Sequence, residues 1–280
     1  MPIQIIADSG ASTTNWCILD GKTKKKITTA GISPYLLTSD QIVALLQKEL
    51  LPKIKNVQPA VVHYYGTGCI SPVNVQIVKK ALSKLFGGAS IYVNHDMLSA
   101  ARALCGKQKG MVVNFGTGSF CCYYNGKNIA RQTAGIGYVL GDEGSGAYLG
   151  KKVIQYYLYE TFDEDLRARF DAAYHTSRAE ILEKVYRQPL PNRYMASYTM
   201  FLAENRGHFM VENIIEDSFN EFFFTHLYKY KESWTLPIHF IGSVAYGFKD
   251  VLKEMCSNYE LQLGKVLKTP MEGLIQYHTS

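Results

Sequence analysis

Val113-Asn114-Phe115-Gly116-Thr117-Gly118-Ser119 is an apolar run that breaks into Gly-Thr-Gly-Ser, and Phe120-Cys121-Cys122-Tyr123-Tyr124 then resumes it. The pattern reads as two strands joined by a tight turn rich in glycine and hydroxyls. Glycines let the backbone approach an anion without side chains in the way, and hydroxyls add donors, so such a turn can hold phosphate through geometry. An ordinary hairpin turn has the same composition. The choice between them rests on whether the chain carries a second copy.

The N-terminus supplies one. Ile3-Gln4-Ile5-Ile6-Ala7 is strand-like and ends in Asp8-Ser9-Gly10-Ala11-Ser12-Thr13-Thr14, after which Asn15-Trp16-Cys17-Ile18-Leu19 resumes the strand. Asp20-Gly21 turns this second strand and is followed by Lys22, just as Asn125-Gly126 is followed by Lys127 in the later copy. A further pairing follows in the same order. Ala60-Val61-Val62-His63-Tyr64-Tyr65 enters Gly66-Thr67-Gly68, and Ile238-His239-Phe240-Ile241 enters Gly242-Ser243, each leading from strand through small-residue turn to helix. Two matches in one order suggest two halves of related architecture facing each other across a cleft.

Asp8-Ser9-Gly10-Ala11-Ser12, Gly116-Thr117-Gly118-Ser119, Gly141-Asp142-Glu143-Gly144-Ser145 and Gly242-Ser243-Val244-Ala245 together resemble the actin/hexokinase/Hsp70-type ATPase superfamily. Within it the chain is similar to the N-acetylglucosamine kinases and the related BadF/BadG-type ATPases. The likeness runs roughly from residue 3 to residue 250, and the Gly-Asp-Glu-Gly-Ser string is its most specific part. It implies an α/β fold of two related ribonuclease H-like (actin-type ATPase) halves, each a mixed sheet flanked by helices, around a central cleft. The expected halves are residues 1–107 and 108–280, parted near Gly106 to Gly110, with a final helix near 264–280 returning to the first half. ATP and Mg²⁺ are the cofactors it implies.

Composition bounds the remaining classes. A chain of 280 residues with 47% hydrophobic content can bury one large core or two modest ones. The net charge of +6 is mild, and its densest cluster, Lys22 with Lys24-Lys25-Lys26, reads as a solvated hairpin tip, so no nucleic-acid partner is expected. No apolar run approaches the ~18 residues of a membrane span, and Met1-Pro2-Ile3-Gln4 lacks the basic and apolar regions of a signal peptide. A cytoplasmic protein without membrane partners is the expectation. The cysteines at 17, 69, 105, 121, 122 and 256 form neither a Cys-x-x-Cys pair nor a zinc-like spacing and are read as reduced and structural. The aromatics Phe219, Phe222, Phe223 and Phe224 read as core or oligomer contact, and a homodimer is compatible with them.

Between the motifs the first half alternates strand and helix. Ser39-Asp40 open a helix whose apolar face runs through Ile42, Leu46 and Leu50 to Pro52. A second helix spans about Val73 to Phe86, ended by Gly87-Gly88, and a short strand at 91–93 leads into a helix from Met97 to Cys105. The second half is more helical, with periodic stretches through 149–157, 163–173, 177–187, 193–203 and 209–230. After the strand at 238–241, a last helix passes through Val251 and Leu252 towards Leu263.

Phosphoryl transfer needs the phosphates held, a metal neutralising charge and the acceptor hydroxyl aligned in line. Asp8 at the mouth of the first loop suits Mg²⁺, which takes a carboxylate or two plus phosphate, and it equally suits a turn in which Asp bonds its own backbone. Asp96 stands in the first turn of a helix after a short strand, fit either for general base or for stabilising the helix dipole. Asp142 and Glu143, ahead of a helix starting near Ser145, read as capping groups or as contacts to ligand. The resemblance makes Asp96 the base, Asp8 the metal anchor and Asp142 a sugar-hydroxyl contact or a ligand near the metal. It places Gly10, Ala11, Ser12, Thr13, Gly116, Thr117, Gly118, Ser119, Gly242, Ser243 and Ala245 on the nucleotide, and Ser33, Asp96, Thr117, Gly135, Ile136 and Asp142 on the sugar. Three departures stand out: Thr13 where relatives commonly have Lys or Arg, Asn15 where an acid is common, and Ile136 in place of a Trp platform. The segment Gly31-Ile32-Ser33-Pro34-Tyr35 also lacks the Asn expected of the sugar loop. The function this implies is ATP-dependent transfer to a hydroxyl of an N-acetylglucosamine-type sugar, with an activator ATPase carrying an iron–sulfur cluster, or a non-catalytic sensor, as alternatives.

Overall fold

The computed structural model describes every residue except Met1, Ala11, Lys22, Asn56 and Ala134, so the nucleotide contact expected at Ala11 lies outside the described residues. The chain forms two compact units, Met1–Lys107 with Pro270–Ser280, and Gln108–Thr269.

In the first unit, β1 (Gln4–Ser9), β2 (Thr13–Asp20) and β3 (Thr23–Ala30) form a meander, followed by α1 (Ser39–Glu49), β4 (Val61–Gly66), α2 (Pro72–Leu85), β5 (Ser90–His95) and α3 (Asp96–Cys105). The sheet order is β3-β2-β1-β4-β5. β1 runs antiparallel to β2 and parallel to β4, which is parallel to β5. Ile5, Ile6 and Ala7 are wholly buried, as a central strand covered on both faces requires. Thr38 and Gln41 form a capping box at the start of α1, and Ser71 caps α2.

The second unit begins with β6 (Lys109–Phe115), β7 (Ser119–Asn125) and β8 (Ile129–Gln132), then α4 (Gly137–Leu140) and α5 (Gly146–Leu158). A helical region follows: α6 (Glu164–Tyr174), α7 (Arg178–Tyr186), α8 (Pro191–Ser197), α9 (Thr199–Glu204) and α10 (Phe209–Thr225). β9 (Ile238–Ile241), α11 (Ser243–Gly247), α12 (Lys249–Asn258) and β10 (Leu263–Leu267) complete it. Its sheet has the order β10-β9-β6-β7-β8. With β6 antiparallel to β7 and parallel to β9, and β9 parallel to β10, it repeats the first sheet strand for strand. The segment from Pro270 returns to the first unit as α13 (Met271–Thr279), so close to α3 that a Cβ on Gly273 would lie 2.3 Å from the Ala103 carbonyl oxygen. No helix among the described residues is long and apolar enough to cross a membrane.

Three local readings are corrected. Lys24-Lys25-Lys26 do not form a turn; they pair with Leu19, Ile18 and Cys17 in β3, an exposed edge strand whose charges discourage pairing with another chain. The last helix does not reach Leu263. α12 stops at Asn258 because Glu260 takes a left-handed conformation (φ 55°), which turns the chain into β10, an extra parallel strand beside β9. The stretch 209–230 is helical only to Thr225 and gives way to short 3₁₀ turns. Its aromatics are core: Phe219, Phe222 and Phe223 are buried, and Phe115 stacks on Phe219 at 4.9 Å and meets Phe222 edge-on at 4.6 Å. Phe224 is exposed.

Candidate active site

Parallel strands end where helices begin, and ligands gather at those carboxyl ends. In the first unit β1 ends at Asp8-Ser9 and β5 runs directly into α3, bringing Asp8 and Asp96 to the same sheet edge. Asp8 Oδ1 accepts a hydrogen bond from Ser99 Oγ at 2.9 Å. Burial pushes the Asp8 carboxyl up to about 6; the Ser99 bond opposes this and the nearby Asp96 charge reinforces it. Asp96 is half-buried in the first turn of α3, and its Oδ1 accepts from the Met97 N–H at 2.9 Å. His95 caps the helix, its Nδ1 accepting from the Leu98 N–H at 3.3 Å, and burial keeps its imidazole below its usual range.

The first loop is closed at its base. Ser9 and Thr14 hydroxyls meet at 2.7 Å, and the Gly10 N–H donates to the Thr13 carbonyl at 2.9 Å. Gly10, Ser12 and Thr13 at its tip are exposed. The Gly31 N–H donates to the Ser12 carbonyl at 2.9 Å and the Ile32 N–H to Ser9 Oγ at 3.3 Å. This brings the segment carrying the buried Ser33 against the first loop, a proximity no local pattern announces.

In the second unit the β6–β7 turn closes with the Gly116 N–H on the Gly118 carbonyl at 3.0 Å. The start of α5 is tied to it, with Gly146 and Ala147 N–H groups donating to the Gly116 and Thr117 carbonyls at 2.8 and 3.1 Å. Those bonds occupy loop carbonyls, while the Thr117 and Gly118 amides make no hydrogen bond among the described residues. Such amides are what an anion requires. Gly242 takes φ 118° and packs so close that a Cβ there would lie 2.2 Å from the Phe115 carbonyl oxygen and 3.0 Å from the Gly116 nitrogen. Gly116, Thr117, Gly118, Ser119, Gly242 and Ser243 therefore share one backbone cluster. Ala245 is fully buried in the core behind it.

Asp142 also borders this turn. It adopts a left-handed conformation (φ 61°) and its Oδ1 lies 3.5 Å from the Ser119 nitrogen, while a Cβ on Gly118 would come within 3.0 Å of Oδ2. Burial raises its carboxyl above the ordinary range, against the Ser119 amide and with the Glu143 charge. Ser145 caps α5 through the Tyr148 N–H, so capping falls to Ser145 and both carboxylates are left for other contacts. Glu143 Oε2 meets His226 Nε2 at 2.8 Å, both side chains largely buried. Gly135 and Ile136 sit on an exposed segment; the Ile136 side chain packs over Gly141 beside this loop.

Several of these residues escaped the reading by motif. Asn114 holds in β6 the place Asp8 holds in β1, each pairing with the residue just before a strand-ending glycine, Gly242 and Gly66. The second loop thus carries an amide, bonded through Nδ2 to the Gly118 carbonyl at 3.4 Å, where the first carries an acid. The strand alignment contained that signal. Ser99 and His226 had none, since each acts across 91 and 83 residues of sequence. Among the described residues no group of three or more His, Cys, Asp or Glu side chains is arranged to hold a metal.

No protein-family model matches the chain. A solved structure from Porphyromonas gingivalis, provisionally named an N-acetylglucosamine kinase, shares 38% of residues over 98% of both chains, with a TM-score of 0.93. An N-acetylmuramic acid/N-acetylglucosamine kinase of Clostridium acetobutylicum is 28% identical over 144 residues, 49% of this chain and 46% of that protein, so the match spans about half of each. MreB 5 of Spiroplasma citri, solved with AMPPNP, shares the fold at a TM-score of 0.60 and 9% identity, over 100% of this chain and 95% of that one.

Proposed function

The chain belongs to the N-acetylglucosamine kinase family, and from that premise we propose that it transfers the γ-phosphoryl group of ATP to a hydroxyl of an N-acetylglucosamine-type amino sugar in the cytoplasm. The observation that supports this best is the meeting of Asp8 and Asp96 at one sheet edge, with Ser99 of the helix that carries Asp96 bonded to Asp8. In this reading Asp96 accepts the proton of the attacking hydroxyl, and the amides of Thr117 and Gly118 bind phosphate oxygens. Ser33 and Asp142 orient the sugar, while Gly242 and Ser243 line the nucleotide.

A single carboxylate such as Asp8 fits Mg²⁺ carried on a nucleotide, because that ion keeps most of its shell as water and phosphate oxygen. When bound there it neutralises charge on the transferring group. The six cysteines are all buried, a poor supply for an iron–sulfur cluster shared at a subunit surface.

The test is ADP release from Mg-ATP, with and without a panel of hexoses and N-acetylated amino sugars, beside Asp96→Asn and an EDTA control. One amino sugar should raise ADP release, and both the substitution and chelation should abolish the rise. ADP release that ignores every sugar in the panel would overturn the kinase reading.

A further inference from the structure

We propose that Ser99 is a positioning residue of this site, clamping the metal-anchoring carboxylate of Asp8 to the helix that carries the base Asp96. The inference rests on the kinase reading above and adds to it a residue that touches neither sugar nor nucleotide. Ser99 is 1% exposed, inside α3, three residues after Asp96. That spacing puts both side chains on one face of the helix. A serine within a helix ordinarily turns its hydroxyl back to the carbonyl four residues earlier or out to water. Here the hydroxyl reaches out of the helix to Asp8 Oδ1 at 2.9 Å.

Two consequences follow from that one bond. It occupies one oxygen of Asp8 and so sets the rotation of the carboxylate, leaving the second oxygen for an outside ligand. It also ties α3 to the end of β1, so that any shift of Asp96 relative to Asp8 must break a hydrogen bond to a carboxylate. The neighbours support a rigid clamp: Leu98, Ala100 and Ala101 beside Ser99 are buried, and Ala103, one turn further on, is pressed by α13 at Gly273.

The test compares wild type, Ser99→Ala, Ser99→Cys and Asp8→Asn by electron paramagnetic resonance titration of Mn²⁺ with a non-hydrolysable ATP analogue, with thermal unfolding of each protein alongside. Ser99→Ala should weaken Mn²⁺–nucleotide binding about 10-fold, the size expected for losing a hydrogen bond to a charged group. Ser99→Cys, which keeps the volume with a weaker donor, should fall between alanine and wild type, and its binding serves if the alanine protein does not fold. Asp8→Asn should lose most of the binding. A folded Ser99 variant that binds Mn²⁺–nucleotide as tightly as wild type would overturn the clamp and leave the kinase reading standing. Absence of Mn²⁺–nucleotide binding by wild type would overturn the kinase reading itself, and the clamp with it.

Discussion

Gly242→Ala should damage nucleotide binding through a single added carbon. At φ 118° and ψ 162° the residue occupies backbone space that is essentially glycine's alone, and holding alanine there costs about 1–3 kcal/mol. The new Cβ would also lie 2.2 Å from the Phe115 oxygen and 2.6 Å from its carbonyl carbon. That is about 1 Å or more inside normal contact, and the atoms in the way are backbone, so the turn between β6 and β7 itself must move. Overpacking of this kind adds about 1–3 kcal/mol, for a total on the order of 2–6 kcal/mol. A displacement of about 1 Å in a positioning loop costs on the order of 100-fold in turnover. Gly247, at the other end of the same short helix, is the control, since no atom lies within 4 Å of its Cβ and its φ is ordinary. Urea unfolding and nucleotide titration of both variants decide the matter. Gly242→Ala should lower the unfolding midpoint and weaken nucleotide binding, whereas Gly247→Ala should leave both nearly unchanged. Equal behaviour of the two variants would refute the steric argument.

Asp96→Asn should lower kcat by about 10²- to 10⁴-fold while nucleotide affinity in a direct titration stays within about threefold of wild type; parallel losses in both would instead mark Asp96 as structural. His226→Ala should lower stability by about 1–3 kcal/mol in urea unfolding, because it leaves the largely buried Glu143 carboxylate without its partner. Acid should loosen the first unit through His63 and His278, whose rings stack at 3.7 Å. Burial, helped by Arg102, holds His63 down to about 4, and burial, helped by His63 and Arg102, holds His278 down to about 3. Both stay neutral when folded and take up protons when unfolded, so their contribution is fully present above pH 6.5 and is lost as pH falls towards 4. Urea midpoints measured from pH 7 to 4.5 should decline, and His278→Phe should flatten part of that decline; an unchanged slope would exclude His278 as a source.

The fold class was written in local pattern. Apolar runs ending in Gly-rich turns at 8–14, 66–68, 116–119 and 242–243 specify strand ends by themselves, because only strands that stop at a sheet edge deliver glycines and hydroxyls in that rhythm. Their repetition in one order anticipated two sheets, and the two strand orders match. β3 and β10 were misread for one reason: edge strands are half-exposed, so Lys24-Lys25-Lys26 and Leu263-Gly264-Lys265 lack the apolar run that marks a central strand.

The sequence by itself determined the two related halves, the glycine turns and the acids at Asp8, Asp96 and Asp142, since each is set by the residue's own backbone preference and near neighbours. Only the tertiary structure decided what those acids touch. Ser99 reaches Asp8 and His226 reaches Glu143 across most of a unit, and Gly242 abuts Phe115 from a separate strand. Contacts of that kind depend on which strand is laid beside which, and sheet pairing is fixed by burial over the whole unit, leaving no periodic trace in either of the segments it joins.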